Sequence, residues 1–389
     1  MDKVKILSVD DESDLEMLLT QYFRRKIRKG EYEFSFAHNG LEALEMLLKN
    51  KDYDIILSDI NMPEMDGLTL LTKINEMQNP ALKCIMVSAY GDMGNIRQAM
   101  NNGAFDFATK PIDLDDLSLT IEKAIAQIEY IKRMEQEHRQ LEGIKDDLAI
   151  ASQIQQSILP RVFPPFPELT DRLDIAASMH AAKDVGGDFY DFFRIDDDHI
   201  GLVMADVSGK GIPASIFMAI SRTIIRTTAL QGMSPSDCIT HANALIAKES
   251  SQGMFVTVFY AIYDVTTGEI CYCNAGHNAP YILKADGRVE AFPMSTELVV
   301  GVFDDLTYSE AKAQLEPGDM LFTFTDGVTE AMDVDFNMFS EARLADTLAV
   351  SVSKDCRQVV DAVKDAVAAF TEGAEQSDDI TMLALKRLK

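Results

Sequence analysis

Residues 4–12 read VKILSVDDE, residues 57–67 read LSDINMPEMDG and residues 108–111 read ATKP. Two of these segments pass from an apolar run directly into carboxylates, and the third places a lysine after another such run. Between residues 4 and 112, short apolar runs alternate with stretches in which leucines recur three and four residues apart, the spacing of a helix face. This alternation predicts five strands, each followed by a helix, in an α/β doubly wound, five-stranded parallel sheet.

The polar residues at the strand ends predict a phosphoryl-transfer site. Parallel strands bring their carboxyl ends to one edge of the sheet, so Asp10, Asp11 and Asp59 are expected to lie together. Carboxylate oxygens suit Mg²⁺, and a metal beside Asp59 would let this carboxylate attack a phosphodonor. Ser88 and Lys110 would supply a hydroxyl and an ammonium group to the phosphoryl oxygens.

The motifs VDDE, LSDINMPEMDG, VSAY and ATKP resemble the receiver domain of two-component response regulators, and the resemblance covers residues 1–120. It implies that a sensor histidine kinase is the partner and that Asp59 is the phosphoacceptor. It also implies a set of Mg²⁺ ligands and a set of switch residues: Asp10, Asp11, Asp59 and the backbone of Asn61 for the metal, and Ser88, Phe107 and Lys110 for the switch.

Residues 121–159 are predicted to form a helical linker. The stretch contains no proline, and its apolar residues recur in steps of three and four, an imperfect heptad pattern. The pattern predicts a coiled coil and therefore a homodimer; the alternative is a single helix that lies on its own domain. Four prolines between residues 160 and 167 then end the helix, as a connector or, alternatively, as a polyproline ligand.

Residues 160–389 have a different pattern. Strand-like segments rich in β-branched and aromatic residues are grouped together, and helical patterns occur at about 211–231, 235–250, 340–350 and 355–371. Grouped helices and strands are typical of an α+β domain, here a β-sandwich flanked by helices.

Four motifs of this region place aspartates beside glycines or at strand edges: KDVGGDFYDFF (183–193), ADVSGKGIPAS (205–215), FTDGVTEAM (324–332) and SDDITML (377–383). If their strands share one sandwich, the carboxylates converge, and converging carboxylates need a cation to stay ionised. Oxygen ligands without His or Cys favour Mg²⁺ or Mn²⁺ over zinc. Two such ions about 4 Å apart would activate a bridging water for attack on a phosphate ester.

Together with NAGHNAPYIL (274–283) and QIQQSILP (153–160), these motifs resemble the bacterial PPM-type serine/threonine phosphatases of the sporulation and general-stress branch. The resemblance implies a phosphorylated anti-sigma-factor antagonist as the substrate. It also implies a set of catalytic metal ligands: Asp188, Asp206, the backbone carbonyl of Val207, Asp326 and Asp378, with Asp379 as the alternative to Asp378. Lys183 would bind the substrate phosphate or be a surface lysine, and His277 would donate a proton or fix its loop.

Charge excludes one large class of functions. The chain has 36 Lys and Arg against 63 Asp and Glu, a formal net charge of −27, and no segment is basic. A nucleic-acid binder, and with it a transcription-factor response regulator, is therefore not expected. No apolar run reaches membrane-spanning length and the five cysteines are scattered, so we expect a cytoplasmic protein with reduced cysteines.

The sequence thus predicts a receiver domain (1–120), a helical coiled-coil linker (121–159) and a PPM-type phosphatase domain (160–389). The predicted function is that of a response regulator whose output domain is a metal-dependent phosphoprotein phosphatase. The alternative is a catalytically silent adaptor that binds a partner-switching protein in a phosphorylation-dependent way.

Overall fold

The computed structural model describes residues 3–89, 92–250, 253–293 and 297–389. Tyr90 of the VSAY motif lies outside the described residues. The chain divides into two compact units, residues 1–144 and 145–389. Within the described ranges, no helix is long and apolar enough to cross a membrane. All five cysteines are free.

The first unit contains a five-stranded parallel sheet with the strand order β2–β1–β3–β4–β5, which confirms the predicted receiver architecture. Its strands are β1 (Val4–Val9), β2 (Tyr32–Ala37), β3 (Ile55–Asp59), β4 (Lys83–Ala89) and β5 (Asp106–Lys110). Its helices are α1 (Asp14–Tyr22), α2 (Arg24–Arg28), α3 (Gly40–Lys49), α4 (Gly67–Glu76) and α5 (Met93–Asn101). The central strand β3 is buried at every position, as expected of a strand with helices on both faces.

The predicted long helix is present as α6 (Leu114–Ile158), with 45 residues. Its first turns belong to the core of the first unit, because Leu117, Ile121 and Ala124 are buried there with Ile128. No residue of α6 between Ile128 and Gln155 is buried. The helix therefore has a docked beginning and a long exposed middle.

The second unit contains two five-stranded sheets, with the orders β13–β10–β9–β8–β7 and β12–β11–β14–β15–β6. The strands of the first of these sheets are β7 (Phe189–Arg194), β8 (His199–Val207), β9 (Val256–Asp264), β10 (Glu269–Ala275) and β13 (Ala311–Gln314). Those of the second are β6 (Leu173–His180), β11 (Tyr281–Leu283), β12 (Val289–Ala291), β14 (Met320–Phe324) and β15 (Ile380–Arg387).

Helices pack against the sheets of this unit: α7 (Ile212–Ala229), α8 (Pro235–Glu249), the short α9 (Asp326–Thr329), α10 (Ser340–Ala349) and α11 (Cys356–Phe370). Successive residues of β15 face two different hydrophobic cores in turn. Leu383 and Leu385 join the core that includes α7 and α8, whereas Met382 and Ala384 join the core under α10 and α11. The predicted sandwich flanked by helices is confirmed.

Candidate active sites

The receiver pocket lies at the carboxyl edge of the parallel sheet. Asp10 and Asp11 follow β1, and Asp59 is the last residue of β3. The three side chains each offer an oxygen within 4.8 Å of the others, and they are the only such group of three found among the described residues. Gly67 shapes this edge, because a Cβ at this position would collide with the carbonyl of Asp59.

Lys110 at the end of β5 supplies the positive charge of the receiver pocket. Its Nζ lies 2.7 Å from Oδ2 of Asp59 and 2.9 Å from Oδ2 of Asp10. Partial burial disfavours the ammonium charge, but the hydrogen bonds to Asp59 and Asp10 outweigh it and raise the pKa of Lys110. The pocket thus holds an ammonium group where phosphoryl oxygens would need one.

Three further predicted residues lie around this pocket. The backbone N–H of Asn61 donates to Oδ1 of Asp59 over 3.4 Å. Ser88 is buried on the neighbouring strand β4. Phe107 is half-buried on β5, three residues before Lys110, and packs against the receiver core. All the predicted receiver residues therefore lie along β1, β3, β4 and β5 or directly after these strands.

The phosphatase aspartates come from both sheets of the sandwich. Asp188 directly precedes β7, and the pairing of Phe189 with Ala205 places it opposite Asp206 of β8. Asp326 begins α9 after β14, and Asp378 and Asp379 directly precede β15, the neighbour of β14. Sequence positions up to 191 residues apart thus meet, as the contact from the backbone N–H of Asp188 to Asp379 shows.

The surroundings of these carboxylates disfavour their charge. Burial, followed by the nearby carboxylates of Asp206 and Asp379, raises the pKa of Asp188 well above its usual value. Burial and the neighbouring Asp326 raise the pKa of Asp206 to about 7, and burial with Asp378 raises that of Asp326. Asp188 is buried and Asp206 and Asp326 are half-buried, and their oxygens are less closely gathered than those of the receiver trio. An all-oxygen cluster with this excess of negative charge fits divalent cations such as Mn²⁺ or Mg²⁺.

Asp379 and Asp378 differ in what their carboxylates contact. Asp379 is buried and accepts backbone N–H groups of Ala182 (2.8 Å), Gly187 (2.6 Å) and Asp188 (3.3 Å). Asp378 is half-buried, and its Oδ2 lies 2.8 Å from Nζ of Lys210. The Asp379 carboxylate is therefore engaged in holding the loop before Asp188, whereas that of Asp378 borders the cluster.

Glycines allow this close packing around the site. A Cβ on Gly187 would lie 2.9 Å from the carbonyl oxygen of Val207, the backbone group expected to bind metal. A Cβ on Gly186 would collide with the Asp379 carboxylate, and one on Gly327 would collide with the Asp379 backbone. The glycines of the VGGD and TDG motifs thus serve close approach at the site.

Lys183 and His277 are placed differently from one another. Lys183 is exposed beside the loop that leads to Asp188. His277 is buried: its Nε2–H donates to the carbonyl of Phe324 (3.1 Å), and its Nδ1 accepts from the hydroxyl of Thr257 (2.8 Å). Burial lowers the pKa of His277 to about 4, so the ring is neutral near pH 7. These contacts favour the loop-fixing role for His277.

Three residues at the phosphatase site were not singled out in the sequence. Thr325 is fully buried and its hydroxyl donates to Oδ2 of Asp188 over 2.6 Å. Lys210 pairs with Asp378, and Gln155 of α6 hydrogen-bonds to Gly186. All three lie inside recognised motifs. Thr325 and Lys210 stand near an aspartate in their own motifs, which was an available signal, whereas the partner of Gln155 lies 31 positions away and its own motif holds no aspartate.

Comparison with protein-family models assigns both units. The model described as response regulator receiver domain matches residues 6–122, and the model described as stage II sporulation protein E (SpoIIE) matches residues 196–388. The chain is 30% identical over 268 residues to protein IcfG of Synechocystis sp., which is 62% of this chain and 41% of IcfG. It is 29% identical over 256 residues to the phosphoserine phosphatase RsbU of Bacillus subtilis, which is 65% of this chain and 74% of RsbU.

Solved structures support the fold of the second unit. The SiaA-PP2C domain of Pseudomonas aeruginosa superposes with a TM-score of 0.55 at 22% identity, covering 64% of this chain and 98% of that domain. The PP2C phosphatase domain of SpoIIE from Bacillus subtilis, with a fragment of its regulatory domain, superposes with a TM-score of 0.50 at 17% identity, covering 56% and 62%. The chain spans less than half of IcfG and about three quarters of RsbU.

Proposed function

Because the chain belongs to the response regulators in which a receiver domain is joined to a SpoIIE-type, PPM phosphatase domain, we propose that it is a phosphorylation-controlled protein phosphatase. The proposed domains are residues 1–120, 121–159 and 160–389. The observation that carries the proposal is the convergence of the buried Asp188 with the half-buried Asp206 and Asp326, from two sheets, on one oxygen-only cluster. RsbU, which aligns over most of its length, is named a phosphoserine phosphatase.

In the receiver domain, Asp59 is proposed as the nucleophile toward a phosphodonor, supplied by a sensor histidine kinase. Mg²⁺ would be held by Asp10, Asp11, Asp59 and the backbone of Asn61, where it would neutralise phosphoryl charge. Lys110 is proposed to bind a phosphoryl oxygen on the modified Asp59, and its ion pairs with Asp59 and Asp10 support this role. Ser88 and Phe107 are proposed to be switch residues that respond to the phosphoryl group on Asp59.

In the phosphatase domain, the proposed metal ligands are Asp188, Asp206, Asp326 and Asp378 with the carbonyl of Val207. Two Mn²⁺ or Mg²⁺ ions, when bound, would supply an activated water for hydrolysis of a phosphate monoester. Thr325 orients Asp188 through its hydrogen bond. Because Asp379 is occupied by three backbone N–H groups, Asp378 is the better candidate for the last ligand. Lys183 is proposed, from its exposed position, to contact the substrate phosphate.

The proposed substrate is a phosphoserine or phosphothreonine of an anti-sigma-factor antagonist, and the proposed setting is the cytoplasm. Helix α6 is proposed to join two copies of the chain. Its exposed middle carries Tyr130, Met134, Leu141 and Ile144 in steps of four, seven and three, which describes one stripe of a coiled coil. A Leu141→Glu variant should then sediment as a monomer.

The test is hydrolysis of p-nitrophenyl phosphate with Mn²⁺, with and without acetyl phosphate as phosphodonor. We expect activity that requires Asp206 and that responds to the donor only when Asp59 is present, measured with Asp206→Ala and Asp59→Ala. Asp361→Ala, on the exposed face of α11, is the matched control. A protein that hydrolyses neither this ester nor a phosphorylated antagonist would instead be the adaptor.

Coupling through α6 has its own test. Insertion of two residues near position 140 would rotate the two ends of the helix relative to each other by about 200°, since each residue turns a helix by about 100°. We expect the insertion to leave phosphorylation of Asp59 intact and to remove its effect on hydrolysis. An unchanged response would rule out α6 as the coupling element.

A further inference from the structure

Gln155 is a buried polar residue on a helix whose preceding turns are exposed. Its exposed fraction is 6%, and it is the first buried residue of α6 after Ile128. A buried amide needs hydrogen-bond partners, since an unsatisfied one costs roughly 1–3 kcal/mol. The partners of Gln155 therefore indicate what this position does.

The side-chain amide of Gln155 makes two hydrogen bonds to a single residue, Gly186. Its Nε2 donates to the carbonyl of Gly186 over 2.6 Å, and its Oε1 accepts from the N–H of Gly186 over 3.0 Å. This two-point contact fixes the orientation of one peptide segment as well as its position. Gly186 lies two residues before Asp188.

Asp379 holds the same loop at the next residues. Its Oδ2 accepts the N–H groups of Gly187 (2.6 Å) and Asp188 (3.3 Å). Gly186 admits this carboxylate because it lacks a side chain. The loop before Asp188 is thus fixed by two side chains, one from the residue directly before β15 and one from α6.

We propose that Gln155 is a positioning residue for Asp188, and that it is the contact through which a displacement of α6 reaches the phosphatase site. Loss of the Gln155 contact would leave the loop held by Asp379 alone, so Asp188 would be less well placed for a metal ion. Residues that orient metal ligands typically change metal affinity by about tenfold to a hundredfold when they are replaced. The role in metal binding rests on the proposed function. The two hydrogen bonds from Gln155 to Gly186, called the clamp below, do not depend on it.

The test compares Gln155→Met with Gln153→Met in the full-length protein. Methionine keeps the length of the side chain and removes both hydrogen bonds, and Gln153 lies on the exposed side of the same helix. Hydrogen–deuterium exchange of residues 182–188, measured without metal, reports on the clamp. Calorimetric titration with Mn²⁺, with each protein carrying Asp59→Ala to impair the receiver pocket, reports on the phosphatase metal site.

We expect Gln155→Met to speed exchange in residues 182–188 at least about fivefold and to weaken Mn²⁺ binding about tenfold to a hundredfold, with Gln153→Met unchanged. Gln155→Glu keeps the acceptor for the N–H of Gly186 but sets a carboxylate oxygen against the carbonyl of Gly186, so it should also speed exchange. Urea unfolding of each variant without metal identifies a general folding defect. Acetyl phosphate should alter exchange of this loop in the wild type but not in Gln155→Met. Equal exchange in the two methionine variants would overturn the proposal. If the wild type bound no Mn²⁺, the proposed function would fail while the exchange comparison still decided the clamp.

Discussion

The receiver pocket and the phosphatase cluster both gather aspartates, but they balance the charge differently. In the receiver pocket, Lys110 lies within 3 Å of two carboxylates, at 2.7 Å and 2.9 Å. In the phosphatase cluster, Asp188 is 2% exposed and its pKa is raised by burial and by its neighbours. In the first site the lysine pairs with the buried carboxylates themselves. In the second, Lys210 pairs with Asp378 at the border of the cluster, and Asp188 and Asp206 are suited to receive their counter-charge as cations from solution.

A third carboxylate shows that the phosphatase domain can balance a buried charge internally. Asp191, three residues after Asp188, is fully buried between Arg222 (2.9 Å) and Arg226 (2.8 Å) of α7. The arginines counteract the burial that raises the pKa of Asp191. Asp191 in β7 therefore has a structural role, whereas the carboxylate of Asp188, directly before β7, has no arginine partner among the described residues and is available to bind a cation.

The largest effect should come from neutralising one of the aspartates that are proposed to bind metal. Asp188→Asn should lower p-nitrophenyl phosphate hydrolysis by at least about a hundredfold, since a direct ligand should matter at least as much as a residue that orients one. The same change should raise the urea midpoint of the metal-free protein, because it removes an unfavourable buried charge. Asp361→Asn is the control for both measurements. A drop in activity together with a drop in metal-free stability would contradict the proposed imbalance of charge.

Removing the internally balanced carboxylate should act on stability instead. Asp191→Ala leaves two arginines facing a buried gap and should cost about 3–5 kcal/mol of unfolding free energy. Urea unfolding followed by circular dichroism, with exposed Asp361→Ala as reference, measures this cost. If the two variants unfolded at the same urea concentration, Asp191 would not be the structural counterpart of Asp188.

Mn²⁺ should stabilise the phosphatase domain through its aspartate cluster, apart from any ion held in the receiver pocket. Free Mn²⁺ at a hundred times its dissociation constant adds about 2.7 kcal/mol to the unfolding free energy of a domain that binds one ion. We expect the thermal transition of the wild type to rise with Mn²⁺ and to return with a chelator. Asp206→Ala should show little of this rise. An equal rise in both proteins would place the stabilising ion outside the cluster.

Local patterns predicted much of this molecule. The spacing of apolar residues and the lack of proline predicted one helix up to residue 159, and α6 ends at Ile158. Alternation of apolar runs predicted the parallel sheet and therefore the shared edge of Asp10, Asp11 and Asp59, because strand direction alone sets which ends meet.

Contacts between distant segments could not be predicted in the same way. Asp378 and Asp379 are identical in type and adjacent in sequence, and they are distinguished only by the backbone N–H groups near residue 187 that one of them meets. Thr325 reaches Asp188 across 137 positions. Such roles depend on the packing of two sheets, which periodicity does not encode.

The smallest expected effect concerns the buried histidine beside the phosphatase site. The unfolded chain protonates a histidine near pH 6.5, whereas the folded protein keeps His277 neutral down to about pH 4. The unfolded state therefore binds more protons between these values, so His277 makes the folded state less stable as pH falls from 6.5 toward 4. Its contribution is fully present above pH 6.5.

The measurement is urea unfolding at pH 7.5 and pH 5.5 for the wild type and His277→Gln. The wild type should lose about 1.4 kcal/mol more than the variant across this interval, because one group with a lowered pKa costs about 1.36 kcal/mol per pH unit. The two proteins are compared because the raised pKa values of Asp188 and Asp206 make the folded state more stable as pH falls. This effect is present in both proteins and cancels in their difference. Identical pH dependence would mean that His277 is protonated in the folded state as readily as in the unfolded chain. Burial of the ring beside Phe324, two residues before Asp326, would then not disfavour its protonated form.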